Sequence, residues 1–552
     1  MKKHWPLIVI LLLAAVLRLF ALDKYPVGLN ADEAALGYNA YSLLLTGKDE
    51  HGVSWPLVFR SFDDYKPPLY VYLDIPFVKL FGLNIWSVRL PSALLGIATV
   101  YFVYLLVSSL HLFSDQKKDR FLALASAFFL AVSPWHLHFS RGAWEVNVST
   151  FLLVMGSYFF VKGLAKPRHF LVFALSFALS LYTYHSARIV APLLMIALVL
   201  IYRRSLFAKK NLKGVLAAAI LGLVLSAPIA FQLLSKEGQS RFSGVSIFAD
   251  TGPLSYVLEK RRTDPHPDAL LTKIKYNRYT AYTGYYLKNY VSHYSPRFLF
   301  VSGDVIDRSR VPDFGQTYSV LSVFVVLGSV FLILKFRKNS GAGLILAWFL
   351  IAPAAAALTF QSPHALRSQN EVIPLSIITA YGLVIFFSFF SRFKSKLSSW
   401  LVIVPLAIVL VFQIKNYLTA YYLTYPRELP MAWQYGFSDI AAYTKANYSK
   451  YDKIIITDRW DQPYILIAFF QQYPPAQFQH ELVMSPIDNF GFSTGRSFGK
   501  YEFRRIDPIK DLQSPHTLLV SEGKSFPEKM VIKTITSAQG DVLFEFADTS
   551  LK

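Results

Sequence analysis

The 552-residue sequence contains no cysteine. This absence excludes disulfide frameworks, thiolate zinc sites and cysteine nucleophiles. Charged residues are also few, at 16% of the chain, whereas hydrophobic residues make up 54% and aromatic residues 16%. The mean hydropathy of +0.37 is too high for a soluble multidomain protein. The composition therefore indicates a polytopic membrane protein, for which the bilayer is the main solvent.

Apolar runs of the length that crosses a bilayer, about 17 to 25 residues, recur through the first part of the chain. About eleven are present, roughly at 5–21, 92–110, 121–138, 147–162, 169–184, 187–202, 214–234, 316–334, 342–360, 372–390 and 399–416. Their number and length predict a polytopic α-helical membrane protein of about eleven spans.

The net charge of +21 is explained by where lysine and arginine lie. If Lys2 and Lys3 are cytoplasmic, every short loop on that side is basic, as in 203–213, 335–338 and 392–396. This distribution is typical of cytoplasmic loops, so no nucleic-acid partner is expected. The same topology leaves three long segments outside, namely 22–91, 235–315 and everything after about residue 420.

The first outer segment contains NADEAALGYNAYSLLLTG at residues 30–47. Asn30 or Asp32 would be an acceptable cap for a helix that starts here, and acidic residues in a first turn favour the helix dipole. Capping, however, requires one side-chain oxygen, and a charge beside hydrocarbon is costly unless it is paired or faces water. Asp32 and Glu33 therefore keep two interpretations, as capping residues or as functional carboxylates.

A lysine follows in the same segment, within DEHGVSWPLVFRSFDDYKPPLYVYLDIP at residues 49–76. The Pro-Pro pair after it favours a helix start and leaves Asp64, Tyr65 and Lys66 on the preceding turn. A lysine beside prolines is usually a solvated loop charge. Because this one lies between carboxylates and aromatic residues, the alternative is an interfacial pocket with an ammonium group that binds a lipid phosphate.

Other polar residues lie in pairs at the predicted outer ends of spans: Arg141 with Glu145, His185 with Arg188, and His364 with Arg367. Arg141 and Glu145 have the i,i+4 spacing of a helical ion pair, and the alternative is a second functional carboxylate at Glu145. His185 and Arg188 either extend to the membrane interface or bind a phosphate or a sugar. His364 and Arg367 lie where they could share an anion with Lys66.

The character of the chain changes after about residue 420. YDKIIITD (451–458) and HTLLVSEG (516–523) are typical of buried strands, and FSDIAAYTKANY (437–448) of a helix. We therefore predict two domains, a transmembrane module over residues 1–420 with outer loops 22–91 and 235–315, and an extracytoplasmic α/β domain over residues 421–552.

Several motifs follow one another along the first 420 residues. After the Asp-Glu motif and the Tyr-Lys-Pro-Pro segment come FGLNIWSVRLPSALLG, SPWHLHFSRGAWEVN (133–147), LYTYHSARIVAPLL (181–194), NYVSHYSPRFLFVSGD (289–304) and SPHALRSQNEVIPLSIITAYGL (362–383). In this order they resemble the GT-C glycosyltransferases, in the branch of protein O-mannosyltransferases and lipid A aminoarabinose transferases, and in particular the bacterial family 39 members.

The resemblance implies an enzyme that passes a sugar from a polyprenyl-phosphate carrier to an acceptor outside the membrane, with inversion at the anomeric carbon. The acceptor would be a lipid, a glycan or a protein, and membrane lipids would surround the chain. No metal is expected, because one base and one basic clamp can carry out this reaction without one. No cofactor is expected either, since the lipid-linked sugar is a co-substrate. The implied location is the bacterial plasma (inner) membrane, with the active site on the extracytoplasmic face.

The resemblance also assigns residues. Asp32 matches the position that the family uses for the general base, which accepts the proton of the acceptor hydroxyl. Glu33 would orient donor or acceptor, and Lys66 and Arg367 would stabilise the negative charge of the departing phosphate. The remaining substrate-binding candidates are Asp64, Tyr65, Arg141, Glu145, His185, Arg188 and His364.

The alternative function is a transporter or flippase of lipid-linked sugars. Transporters place ionisable groups near the bilayer midplane and often consist of repeated halves. In this sequence the carboxylates and cations gather towards one predicted face, and no internal repeat is visible. The sequence therefore favours the enzyme.

Overall fold

The structure is a computed structural model that describes residues 4–62, 64–233, 244–390, 396–487 and 493–551. The side chains of Asp64 and of residues 390 and 396–400 lie outside the description. The α-helices are α1 (Trp5–Leu19), α2 (Ala31–Thr46), α3 (Leu69–Phe81), α4 (Ile85–Leu110), α5 (Gln116–Val132), α6 (Pro134–Ser140), α7 (Glu145–Gly163), α8 (His169–Ser180), α9 (Ala187–Leu206), α10 (Leu212–Leu233), α11 (Gly252–Arg262), α12 (Leu270–Lys275), α13 (Arg278–Ser292), α14 (Ser322–Lys335), α15 (Ser340–Ile351), α16 (Ala354–Ala357), α17 (Val372–Phe390), α18 (Lys396–Thr419), α19 (Tyr425–Glu428), α20 (Phe437–Ala446), α21 (Pro463–Gln471) and α22 (Pro475–Glu481). The strands are β1 (Phe59–Ser61), β2 (Asp64–Lys66), β3 (Lys453–Ile456), β4 (Val483–Met484), β5 (Gly495–Phe498), β6 (Tyr501–Phe503), β7 (Thr517–Glu522), β8 (Val531–Thr536) and β9 (Val542–Asp548).

Several helices have the length and apolar character of membrane spans. In the described ranges seven qualify: Ile85–Leu110, Glu145–Gly163, Ala187–Leu206, Lys209–Leu233, Ser340–Ala357, Gln369–Phe389 and Leu401–Glu428. The pair α5 and α6, bent by 58°, would be an eighth, and three shorter apolar helices coincide with the remaining predicted runs. The chain is thus a multi-pass membrane protein, whereas the predicted number of eleven spans is not confirmed.

One compact unit consists of Met1–Arg18, Leu94–Ser140 and Glu145–Leu418. Its helices α14 and α17 cross very closely, because a Cβ atom at Gly328 would lie 2.0 Å from the carbonyl oxygen of Ile378. Arg18, which is fully buried, donates to the carbonyl of Ala131 at 3.0 Å and so ties α1 to the end of α5. Close helix packing and buried hydrogen bonds together stabilise this helical unit.

A second compact unit consists of Leu19–Ala93, Arg141–Trp144 and Thr419–Lys552. Its seven-stranded sheet has the order β4-β5-β6-β3-β7-β9-β8, with β3 parallel to β6 and β7. The predicted strands at 451–458 and 516–523 are β3 and β7, and the predicted helix at 437–448 is α20. That residues 421–552 form a separate extracytoplasmic domain stays a prediction, because this unit also contains residues 19–93.

Helix α2 is enclosed within the second unit. The hydroxyl group of Tyr38 donates to the carbonyl of Tyr473 at 2.9 Å, and a Cβ atom at Gly37 would lie 2.8 Å from the Phe469 ring. The backbone amide of Ala31 donates to the side-chain oxygen of Gln434 at 2.6 Å. C-terminal residues thereby position the helix that begins with the Asp-Glu motif.

Candidate active site

The start of α2 distinguishes its two carboxylates. Asn30 is the N-cap residue, and its side-chain oxygen accepts from the amide of Glu33 at 3.2 Å, while the Glu33 carboxylate accepts from the amide of Asn30 at 3.4 Å. This reciprocal arrangement is a capping box. The cap is therefore formed by Asn30 and Glu33, so the carboxylate of Asp32 is not needed to begin the helix.

Asp32 instead forms an ion pair with Lys66. Lys66 Nζ lies 2.6 Å from Asp32 Oδ1, within the range of charge-assisted hydrogen bonds. The two partners differ in exposure, since the lysine side chain is 6% exposed and the aspartate side chain 34%. The ammonium group also lies 5.0 Å from the centroid of the Phe62 ring. The lysine is thus fixed inside the protein while the carboxylate keeps an accessible surface.

Strands β1 and β2 position Lys66. They pair antiparallel, with Phe59 opposite Lys66 and Arg60 opposite Tyr65. Tyr65 is half-buried in this hairpin. The side chain of Asp64 lies outside the described residues. The substrate-binding roles of Asp64 and Tyr65 stay predictions.

Glu33 is bonded entirely within the protein. Arg89 Nε and Nη2 donate to its two carboxylate oxygens, each at 2.9 Å, and the amide of Ala143 donates to Oε1 at 2.7 Å. Arg89 also donates to the carbonyls of Leu22, Pro26 and Gly28. With 1% of Glu33 and none of Arg89 exposed, this is a buried two-pronged ion pair. Substrate contact by Glu33 stays a prediction, and the geometry gives it a positioning role.

Arg89 was not anticipated from the sequence, although it lies in the quoted motif FGLNIWSVRLP. The available signal was an arginine near the start of an apolar span, which requires a buried acceptor. Arg141 is a similar anchor, because its Nη2 donates to the carbonyls of Phe20 and Tyr25 at 2.7 and 3.0 Å. Glu145 begins α7 and is buried. The predicted ion pair and substrate roles of Arg141 and Glu145 stay predictions.

In the first unit, His364 takes part in a buried polar cluster. Its Nδ1 lies 3.2 Å from Asp304 Oδ2, which also accepts from the amide of Ala365 at 2.6 Å. The amide of His364 donates to His293 Nε2 at 3.2 Å. Burial lowers the pKa of His293 to about 4, so its ring is neutral and accepts this hydrogen bond. Asp304 and His293 were not predicted, although both lie in a quoted motif.

Arg188 and Arg367 of the first unit have guanidinium nitrogens without a hydrogen-bond partner in the described part of the chain. They are Nη1 of Arg367, and Nε and Nη2 of Arg188. Burial lowers the pKa of Arg367, and its hydrogen bond with the Tyr184 side chain opposes the shift. That bond brings Arg367 to the turn between α8 and α9, which also contains His185. These cations are suited to binding an anion such as a phosphate.

Within the described ranges, no group of three or more His, Asp or Glu side chains is arranged to hold a metal ion. Independence from metals and cofactors stays a prediction.

Part of the chain is similar in sequence to known proteins. Residues 65–231 match the family described as dolichyl-phosphate-mannose-protein mannosyltransferase. A segment of 164 residues is 27% identical to YycA of Bacillus subtilis strain 168, which is named as a mannosyltransferase. That segment covers 29% of this chain and 22% of YycA, so the chain matches about a fifth of its relative's length.

Two solved structures share the fold. ArnT from Cupriavidus metallidurans, bound to undecaprenyl phosphate, is 12% identical with a TM-score of 0.51, covering 100% of this chain and 99% of ArnT. The archaeal oligosaccharyltransferase AglB from Archaeoglobus fulgidus, in complex with an inhibitory peptide and a dolichol-phosphate, is 13% identical with a TM-score of 0.50. The match covers 85% of this chain and 64% of AglB. The chain therefore has the fold of the GT-C glycosyltransferases, which confirms the resemblance, and its residues 65–231 match the mannosyltransferase family.

Proposed function

We propose that this protein is a membrane glycosyltransferase that moves a sugar from a polyprenyl-phosphate carrier to an acceptor outside the cytoplasm, with Asp32 as general base. The observation that carries the proposal is the ion pair of Asp32 with Lys66. A buried lysine holds an accessible carboxylate in one orientation at the capped start of α2. A general base requires this combination of a fixed position and access to the acceptor.

In the proposed reaction, Asp32 takes the proton of the acceptor hydroxyl as its oxygen attacks the anomeric carbon of the donor. The bond between that carbon and the phosphate oxygen breaks, and polyprenyl phosphate leaves with the bonding electrons. A single displacement inverts the anomeric configuration. The leaving phosphate gains negative charge, and cationic hydrogen-bond donors stabilise such charge.

The phosphate is assigned to Arg367 and Arg188, because Nη1 of Arg367 and Nε and Nη2 of Arg188 have no hydrogen-bond partner in the described ranges. Lys66 was the other candidate, but its ammonium group already donates to Asp32. We therefore give Lys66 the role of holding the base. The lipid phosphates bound by ArnT and AglB support a polyprenyl-phosphate carrier for this chain.

The basic short loops support a location in the bacterial inner membrane with the reaction on the extracytoplasmic face. The acceptor class is a lipid, a glycan or a protein hydroxyl. We propose no metal and no cofactor, because a base and a basic anion site are sufficient for a displacement of this kind.

The test is sugar transfer by membranes that contain the protein, with a panel of radiolabelled polyprenyl-phosphate sugars. Wild type should consume one donor, and Asp32→Asn should lower the rate about 10²- to 10⁴-fold at equal expression. Asp439→Asn is the matched control, because Asp439 is an exposed first-turn aspartate of α20 in the same unit. It should transfer at the wild-type rate.

Two outcomes would contradict the proposal. If Asp32→Asn transfers as well as wild type, Asp32 is not the base. If wild type consumes no donor but moves a labelled donor across the bilayer of reconstituted vesicles, the protein is a flippase.

A further inference from the structure

Buried polar atoms without partners are concentrated where the chain enters the span Gln369–Phe389. Gln369 and Glu371 are both fully buried. Both carboxylate oxygens of Glu371 and the side-chain oxygen of Gln369 have no hydrogen-bond partner among the residues that the structure describes. The same is true of Nη1 of Arg367, four residues before Glu371.

Such a cluster is costly. A buried polar group without a hydrogen-bond partner lowers the free energy of unfolding by about 1–3 kcal/mol, and a carboxylate in a membrane span lowers it by more. Proteins rarely retain such groups without a use for them, and intramembrane carboxylates commonly mark functional sites. The cluster therefore calls for a ligand with complementary hydrogen-bonding groups.

The surrounding side chains are already engaged. Gln369 Nε2 donates to Asn147 at 3.2 Å, which fixes the amide and leaves its oxygen without a partner. Trp348 Nε1 donates to Asn370 at 2.9 Å. The hydroxyl of Tyr294 donates to the carbonyl of Phe349 at 2.9 Å. The acceptors of Gln369 and Glu371 thus receive no hydrogen bond from these neighbours.

The chemistry of these atoms identifies the ligand class. Carboxylate and amide oxygens accept hydrogen bonds and therefore require hydroxyl donors, whereas a guanidinium group donates to an anion. A glycosyl phosphate carries both, since its ring bears hydroxyl groups and its phosphate bears charge. We infer that Glu371 and Gln369 bind the ring hydroxyl groups of the donor sugar, beside the phosphate held by Arg367. This inference rests on the proposed function.

Glu371 and Gln369 in these roles also determine which donor sugars bind. A site that hydrogen-bonds a substrate hydroxyl strongly rejects an analogue that lacks this hydroxyl, because the polar groups of the site are then left unpaired in the interior. Glu371 therefore selects the donor by its hydroxyl pattern, and the lipid and its phosphate are recognised by other residues.

The experiment measures two affinities of the purified protein in nanodiscs. One ligand is sugar-free undecaprenyl phosphate, and the other is the polyprenyl-phosphate sugar that wild type consumes in the transfer assay. Glu371→Gln, which keeps the side-chain shape, should lower the affinity for the sugar-bearing donor about tenfold or more. Its affinity for undecaprenyl phosphate should stay within about twofold of wild type.

Asp74→Asn is the matched control. Asp74 is fully buried in α3, and neither of its carboxylate oxygens has a hydrogen-bond partner among the described residues. Asp74→Asn therefore also removes a buried carboxylate without a hydrogen-bond partner, but at a different place in the chain. Both affinities should be unchanged in this variant. A donor that lacks one ring hydroxyl completes a double-mutant cycle. It should bind wild type more weakly than the parent donor does. It should bind Glu371→Gln with the same affinity as the parent donor.

The outcomes separate the inference from the proposed function. The inference is wrong if Glu371→Gln has the wild-type affinity for both ligands, or if its affinity for both falls by the same factor. Glu371 then does not recognise the sugar, and the proposed transferase function is unaffected. If wild type consumes no donor at all, the proposed function fails and the inference fails with it.

Discussion

Two acidic residues that are neighbours in the sequence, Asp32 and Glu33, have opposite surroundings. Asp32 bonds to a lysine and keeps 34% of its side chain exposed, while Glu33 bonds to Arg89 in the interior. Removing one partner of a buried pair typically costs about 3–5 kcal/mol of stability, whereas a partly exposed pair contributes much less. At the residue scale, the accessible carboxylate of Asp32 fits the proposed base, and Glu33 supports the structure around it.

A third carboxyl of the same unit, Glu50, gives a prediction about pH. Glu50 is fully buried, and burial raises its pKa to about 8, although the hydrogen bond from Asn39 and the charges of Lys66 and Arg60 oppose the shift. The folded chain therefore keeps a proton that the unfolded chain releases near the ordinary pKa of 4.5. Stability falls as pH rises between these two values.

We expect Glu50→Gln to raise the free energy of unfolding at pH 7 by about 3 kcal/mol. It should also flatten the dependence of stability on pH between about 5 and 8. Thermal unfolding of the purified protein across this range measures both effects. A pH profile of Glu50→Gln that is parallel to wild type would show that Glu50 is ionised in the folded chain.

The residue scale also shows what could be read from the sequence. The Asn30 cap followed from a local pattern, since it depends on neighbours within one helical turn. The role of Asp32 as base came from the family resemblance and stays a prediction. Arg89 pairs with a residue 56 positions away, and Asp304 interacts with a histidine 60 positions later. Local patterns carry no information about such partners, and so these residues were missed.

At the scale of elements, the crossing of α14 and α17 predicts a strong response to one methyl group. A Cβ atom at Gly328 would lie 2.0 Å from the carbonyl oxygen of Ile378, and a backbone atom cannot rotate away. Gly328→Ala must therefore separate the helices. We expect it to lower stability by about 1–3 kcal/mol, measured by thermal unfolding in detergent.

Gly284 provides the comparison for this prediction. It lies inside α13, and a Cβ atom there would meet nothing within 4 Å. Gly284→Ala should leave stability unchanged or raise it by up to about 1 kcal/mol through helix propensity. Equal effects of the two alanines would mean that α14 and α17 do not cross as closely as described.

Hydropathy located the helices well and their ends poorly. Every apolar run of the sequence corresponds to a helix, because a bilayer requires internally bonded backbone. The run at 121–138, however, is divided at Ser133 into α5 and α6. Pro134 starts the second helix without a backbone N–H to continue the first. An average over a window of residues does not register such a break.

At the scale of the whole molecule, the second unit predicts the result of a truncation. Residues 19–93 bond to the C-terminal part through Ala31 with Gln434 and through Tyr38 with Tyr473. A chain that ends at residue 418 loses these partners and exposes the buried face of α2. We expect limited proteolysis to cleave residues 19–93 at least about tenfold faster than in the full-length protein.

A chain that ends at Ser550 is the control, and it should be cleaved at the full-length rate. If the chain ending at residue 418 also resists cleavage in residues 19–93, this segment folds without the C-terminal part. Composition suggested a boundary at residue 420, because it reports the change from apolar to polar sequence. It does not report that segments more than 300 residues apart form one compact unit.

This discontinuity sets the timing of biogenesis. Residues 19–93 leave the ribosome long before Thr419, and at typical rates of synthesis the interval is roughly half a minute. Throughout this time the surface of α2 that finally packs against C-terminal residues has no partner. The N-terminal end of α2 therefore gains its C-terminal partners only when the last segment emerges, so an incompletely translated chain lacks the bonds that position the candidate base.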